Sequence, residues 1–232
     1  MCIPYGGGWS TIFDPWEKIM DDRIAVVPIM FPGRGPRIDE DSYDDFTSLI
    51  NDATREISTI KMPLYFYGGC FGGLCGYEII RRLRDDYQIN AEGFFINSLY
   101  APADIDTSEG ISELDEEKFI EAIWRKGELP SEVIQDDRVM SFLLGGIRDD
   151  YILYESYKLE EDSSKIIDSP IKIFVKDESE LKNSNYTNWS EYSSKEIQFD
   201  VVNCGNLFDS SAQVEIAKRI NCMINGNDVE RI

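Results

Sequence analysis

The chain is constrained most tightly by residues 64–82, LYFYGGCFGGLCGYEIIRR. An apolar, aromatic run (Leu64, Tyr65, Phe66, Tyr67) has the composition of a buried strand. It stops at Gly68-Gly69-Cys70-Phe71-Gly72, and apolar residues resume at helical spacing at Leu74, Tyr77 and Ile80. Strand, sharp turn and helix in that order describe a nucleophile elbow, where glycines let the backbone turn tightly enough to lift the central side chain above the sheet. The central residue here is Cys70, where the motif G-x-S-x-G has serine. A phosphate loop is a poorer match, because neither the Lys-Ser/Thr of a Walker loop nor G-x-G-x-x-G spacing is present. A tight turn around a small buried cysteine stays open as the plain alternative.

The flanking sequence sets the elbow in an alternating pattern. Residues 2–10, CIPYGGGWS, make a short apolar entry and a glycine turn whose backbone N–H groups can face an anion; Phe13, Trp16, Ile19 and Met20 follow at helical spacing. Residues 24–31 read as a second strand-like run ended by the rigid turn PGRGPR, and Phe46, Leu49, Ile50, Ala53 and Ile57 mark an amphipathic helix. After the elbow, residues 93–99 form a strand, 171–175 and 198–202 form two more, and 214–224 form a closing helix. Between about 102 and 157 the strand rhythm gives way to acidic helical segments. The expectation is one α/β domain over residues 1–232, with a mostly parallel central sheet, flanking helices and a helical lid inserted at about 102–157.

The formal net charge of −21 is spread along the chain, with Asp-Asp pairs beginning at Asp21, Asp44, Asp85, Asp136 and Asp149. Such a surface repels nucleic acid and anionic membranes and favours solubility. The five cysteines have no regular spacing and no CxxC pair, which points to reduced thiols in the cytoplasm and to no metal site or disulfide framework. No charged leader with an apolar run opens the chain, and no apolar stretch is long enough to span a bilayer. A soluble, cytoplasmic monomer with no cofactor of its own is expected. Histidine is absent altogether, which closes every mechanism needing an imidazole base, acid or ligand.

Taken in order, these pieces resemble the type II thioesterases that accompany nonribosomal peptide and polyketide synthases, within the α/β-hydrolase superfamily. IPYGGGWSTIFDPW is similar to the family's F-P-x-A-G-G-x-x-x-x-F-x-x-W, FPGRGPRIDE to L-P-G-R-x-x-R-x-x-E, and YGGCFGG to its elbow. In the lid region, KGELPSEV and IRDDYILYESY resemble G-x-P-x-E and L-R-A-D-x-x-x-x-x-x-Y. The resemblance implies an α/β-hydrolase fold. It also implies acyl or aminoacyl thioesters as substrates, presented on the phosphopantetheine of a carrier protein or synthase module. It places Cys70 as nucleophile, and N–H groups of Phe71 and Gly6 as the oxyanion hole.

The departures are as informative. The family's elbow usually reads G-H-S-M-G, whereas here Gly69 stands for the histidine and Cys70 for the serine. The family's catalytic histidine lies in G-G-H-F-F, and Asn206 takes its place in CGNLF. Asp177 is the candidate for the triad acid, without the glycine that usually precedes it. The chain also begins almost on the first strand, where family members carry several earlier residues, so that strand is expected to be truncated or to start further upstream.

A serine facing Asn206 would be inert, because its hydroxyl needs a base. Cysteine differs: a thiol pKa of about 8.5 leaves a few per cent thiolate at neutral pH, and a helix N-terminus favours that thiolate further. Hydrolysis of acyl-Cys70 needs an activated water, and losing triad members typically costs about four orders of magnitude or more. Transfer to another thiol is nearly isoenergetic. The sequence therefore leaves two functions open: slow hydrolysis or acyl transfer through Cys70, and a non-catalytic module that binds a carrier protein or synthase. Docking on an acidic carrier would use a local basic patch drawn from Arg34, Arg37 or the Arg81, Arg82 and Arg84 group, with simple pairing to nearby carboxylates as the alternative for the helix arginines.

Overall fold

A computed structural model describes residues 1–127, 129–159, 165–182 and 184–226. Five strands, β1 (Cys2–Ile3), β2 (Tyr65–Gly69), β3 (Gly93–Asn97), β4 (Ile171–Val175) and β5 (Ile197–Val201), form one sheet in which each strand lies beside its predecessor and every pairing is parallel. A single rung runs across it through Ile3, Gly68, Ile96, Ile173 and Phe199. Strands of such a sheet are covered on both faces, which is why β3 reads GFFIN and is buried at every position.

One face carries α1 (Phe46–Ile57) and α2 (Phe71–Tyr87). The N-cap of α1 is Asp45, whose carboxylate accepts from Ser48 N at 2.8 Å, and its stripe of Phe46, Leu49, Ile50 and Ile57 is buried. The other face is packed by a 3₁₀ segment, Ser10–Lys18, and the closing helix. Pro15 sits inside the 3₁₀ segment and supplies no N–H, so the helical spacing of Phe13 and Trp16 produces a short 3₁₀ element that still buries both rings.

Between β3 and β4 the chain forms a helical insertion: short 3₁₀ turns, α3 (Glu116–Lys126), α4 (Ser131–Ile134) and α5 (Asp137–Ser156). Asp115 caps α3 and Asp136 caps α5, while Gly127 ends α3 in the left-handed region. After β4 come α6 (Ser184–Thr187), β5 and α7 (Ser210–Ile224).

Residues 24–31 differ from their expected strand. They contribute one bridge, Cys2 to Pro28, flanked by Cys2 N to Val27 O (2.9 Å) and Ile29 N to Cys2 O (2.8 Å). The cause is local: β1 is two residues long and offers a single rung, and Pro28 has no N–H for a longer ladder. No helix among the described residues is long and apolar enough to cross a membrane.

Backbone packs closely against backbone where β1, β2 and α2 meet. A Cβ on Gly72 would lie 2.4 Å from the carbonyl oxygens of both Ile3 and Pro4, and one on Gly68 would lie 2.4 Å from the Gly72 backbone. Gly72→Ala should therefore lower unfolding stability by at least about 3 kcal/mol, the upper end for overpacking, since both obstructing atoms are backbone. Gly127→Ala meets nothing within 4 Å and carries only the left-handed strain, so about 1–2 kcal/mol is expected. Urea midpoints of the two variants measure the contrast.

Candidate active site

Cys70 is the residue between the end of β2 and the start of α2, and its backbone sits at φ 48°, ψ −123°. That conformation costs a non-glycine residue about 1–3 kcal/mol and persists only where the surroundings enforce it. Here Cys70 N donates to Asn97 O at 3.1 Å, and Cys70 O accepts from Leu74 N at 3.1 Å, so the turn is fixed at both sides. The preceding residue has no space for a side chain: a Cβ on Gly69 would lie 2.5 Å from Asn97 Oδ1 and 2.7 Å from the ring of Phe208. Asn97 Oδ1 accepts from the Tyr67 hydroxyl at 3.0 Å, which in turn accepts from Gln213 at 2.9 Å. Phe208 meets Tyr5 edge-on, with ring centroids 5.1 Å apart. The glycine that stands for the family's elbow histidine is thus required by its neighbours.

Cys70 is 9% exposed and borders a narrow cavity of about 20 Å³. Gly6 and Phe71 form the wall beside it; Ile123, Lys126 and Leu129 of the insertion and Ile147, Tyr151 and Tyr154 of α5 form the roof. A Cβ on Gly6 would stand 3.8 Å from Phe71 Cβ, so the two expected oxyanion donors are neighbours. Phe71 opens α2, where backbone N–H groups have no intrahelical acceptor. A thiol flanked by two such backbone segments is suited to attack on a carbonyl whose oxygen gains charge.

The sequence reading missed what holds the glycine turn. Asp150, on α5, grips Arg34 through two bonds, Nη1 to Oδ2 at 2.8 Å and Nη2 to Oδ1 at 2.6 Å, and also accepts from Gly7 N at 2.6 Å. Arg34 Nη1 further donates to Gly8 O at 3.2 Å. The two side chains are 5% and 2% exposed. Burial pushes the Asp150 carboxyl up, against the opposing pull of Arg34 and the Gly7 N–H.

Arg34 is therefore not part of a basic docking patch. Arg37 pairs with Glu40 and donates to Met30 O, and on α2 Arg81 is buried against Glu78, Arg82 bonds Asn51, and Arg84 bonds Asp85 and Ile166 O. In so acidic a chain, arginines find carboxylates close by. The signal for the Arg34–Asp150 pair was present, since both are fixed letters of the L-P-G-R and L-R-A-D motifs.

Asn206 lies in the loop after β5. Its Nδ2 donates to Leu129 O at 2.7 Å and its Oδ1 accepts from Phe208 N at 2.9 Å. Two residues earlier, Cys204 N bonds Lys176 O at 3.1 Å, which ties this loop to the turn after β4. Asp177 occupies that turn, where its carboxylate accepts from the hydroxyl and the N–H of Ser179 and is held below the usual carboxylate range by those bonds. No hydrogen bond joins Asp177 to Asn206 among the described residues. The structure thus brings together Cys70, Phe71 and Gly6, while Asn206 is bonded to the insertion and Asp177 to its own turn.

A strand-elbow-helix unit on a parallel sheet, with a glycine turn beside it and helices above, defines an α/β-hydrolase-type site. The thioesterase domain family matches residues 1–223, and the chain belongs to that family. Among characterised proteins it is 28% identical to the gramicidin S biosynthesis protein GrsT of Aneurinibacillus migulanus, over 84% of this chain and 77% of that protein. It is also 28% identical to the linear gramicidin dehydrogenase LgrE of Brevibacillus parabrevis, over 68% of this chain and 62% of LgrE, so it spans about three fifths of that relative's length. Similar solved structures include ClbQ from the colibactin NRPS/PKS pathway (TM-score 0.83, 19% identity, 98% of this chain and 97% of that one). RedJ, from the prodiginine pathway of Streptomyces coelicolor, has a TM-score of 0.82 at 22% identity, over 95% of this chain and 83% of that one.

Two bonds clasp the insertion to the loop after β5: Asn206 Nδ2 to Leu129 O, and Ser131 N to Asp209 Oδ1 at 2.8 Å. At about 1 kcal/mol for a net hydrogen bond, each of Asn206→Ala and Asp209→Ala should speed alkylation of Cys70 by a bulky maleimide about 5-fold. Iodoacetamide labelling followed by peptide mapping provides the reference rate. Identical maleimide rates in native protein and both variants would show that these bonds do not limit access to Cys70.

Proposed function

We propose that this protein is a type II thioesterase-like enzyme acting on acyl or aminoacyl thioesters carried on phosphopantetheine in nonribosomal peptide or polyketide biosynthesis. The observation that carries the proposal is Cys70 in the strained elbow conformation, at the start of α2, beside Gly6 and Phe71 in one cavity. Family membership and the similarity to GrsT, whose name places it in gramicidin S biosynthesis, support the substrate class. A carrier-bearing synthase module is the partner this reading calls for.

In the reaction, Cys70 gives its proton to solvent and its thiolate attacks the thioester carbonyl. The tetrahedral oxyanion is met by the N–H groups of Phe71 and Gly6. Collapse breaks the bond to the pantetheine sulfur, which leaves as thiolate and regains a proton, with acyl-Cys70 left behind. An arriving thiol discharges that adduct by the same steps in reverse. Water does so slowly, because Asn206 supplies no base and Asp177 is committed to Ser179.

Two features favour a second reading, a non-catalytic carrier-binding module: Cys70 is nearly buried and Asn206 is spent on clasping the insertion. Intact-mass spectrometry separates the two. Incubated with a small acyl-pantetheine thioester, the native protein should gain one acyl group on Cys70, lose it slowly in buffer, and lose it faster when a pantetheine thiol is added. Asn206→His should raise hydrolysis by ~10 to ~1000-fold, below the full ~10² to ~10⁴ of a well-oriented base, because Asp177, the candidate to orient the ring, is bonded to Ser179. No adduct in either protein would establish the binding-module reading.

A further inference from the structure

The glycine turn beside Cys70 has no side chains of its own with which to hold a shape. Gly6, Gly7 and Gly8 follow one another, and Gly7 stands at φ 75°. Within the turn, the fixing bond is Gly8 N to Tyr5 O at 2.8 Å. The remaining anchors come from far along the chain. Gly7 N donates to Asp150 Oδ2, Gly8 O accepts from Arg34, and α5 lies so close that a Cβ on Gly7 would meet Ile147 Cγ1 at 2.1 Å. The Gly7 N–H belongs to the peptide plane that joins Gly6 to Gly7. Pinning that plane sets ψ of Gly6 and, with the Tyr5 turn, the direction in which the Gly6 N–H points.

We infer that Asp150 is a positioning residue for the oxyanion hole: it holds the Gly6–Gly7 peptide so that the Gly6 N–H faces the carbonyl oxygen of a thioester attacked by Cys70. The inference rests on the acyl-Cys70 reading above. Asp150 belongs to the same helix as Ile147, Tyr151 and Tyr154, which roof the cavity. The donor is therefore aligned only while that helix covers the thiol. Arg34 serves the carboxylate in turn, because its two bonds leave Oδ2 aimed at Gly7 and neutralise a charge that could not otherwise stay buried.

The test compares two chemistries at one sulfur. Acylation by propionyl-pantetheine builds an oxyanion; alkylation by iodoacetamide displaces iodide and builds none. Changing Asp150 alone would strand the Arg34 charge, so both variants carry Arg34→Met: Arg34→Met/Asp150→Leu removes the acceptor for Gly7, and Arg34→Met/Asp150→Asn keeps an amide oxygen there. The ratio of acylation to alkylation at Cys70, read by intact mass, should fall about 100-fold or more in the leucine variant, the loss typical of one oxyanion donor, and recover to within about 10-fold of native in the asparagine variant. Equal ratios in the two variants, whether native-like or lowered by a shared loss of structure, overturn the positioning role. Native protein that forms no adduct overturns the acyl-Cys70 reading and this inference together, whereas a native adduct with equal variant ratios overturns this inference alone.

Discussion

Everything around the thiol depends on one backbone crossing. The ends of β1 and β2 and the first turn of α2 approach so closely that Gly68 and Gly72 have no room for a methyl group. That contact sets the angle at which the chain leaves the sheet and forces Cys70 into a conformation cysteine would not choose. It also brings the glycine turn after β1 against Phe71. The elbow thiol and the backbone wall beside it are therefore consequences of the same close packing, and neither can shift without the other.

Around this rigid floor the rest of the site is assembled by polar clasps. The insertion is tied to the glycine turn through Asp150 and to the loop after β5 through Leu129 and Ser131. Both clasps involve positions that the thioesterase resemblance singles out, Asp150 as a motif letter and Asn206 as the replacement for histidine. An asparagine in the histidine's place does not leave a hole: its amide satisfies a carbonyl of the insertion and an N–H of its own loop. Asn206 thus acts as a structural tie between the two.

The layout of the sheet was legible because buried parallel strands and amphipathic helices have distinct periods. β2, β3, β4, β5 and α1 fall within a residue or two of where their apolar patterns put them, and the elbow was legible from its glycines. Less legible was anything decided across the fold. Residues 24–31 have the composition of a strand but lack a partner of matching length. Arg34 looks like a surface cation beside Gly33 and Gly35, and no local pattern sets Asp150 against it from 116 residues away, although both are motif letters. The crowding of Gly69 by Asn97 and Phe208 likewise joins three segments that no local pattern connects.

The bond from Gly7 to Asp150 spans 143 residues, and the one from Gln213 to Tyr67 spans 146. Contacts of such separation close late, because the loop entropy must be overcome before they form. During synthesis, β1, β2 and α2 emerge long before α5 and α7 do. The elbow thiol is then a bare, unroofed sulfur on a nascent chain, more open to oxidants and electrophiles than it is in the finished protein. The period of greatest chemical risk for Cys70 therefore precedes the closing of the roof above it.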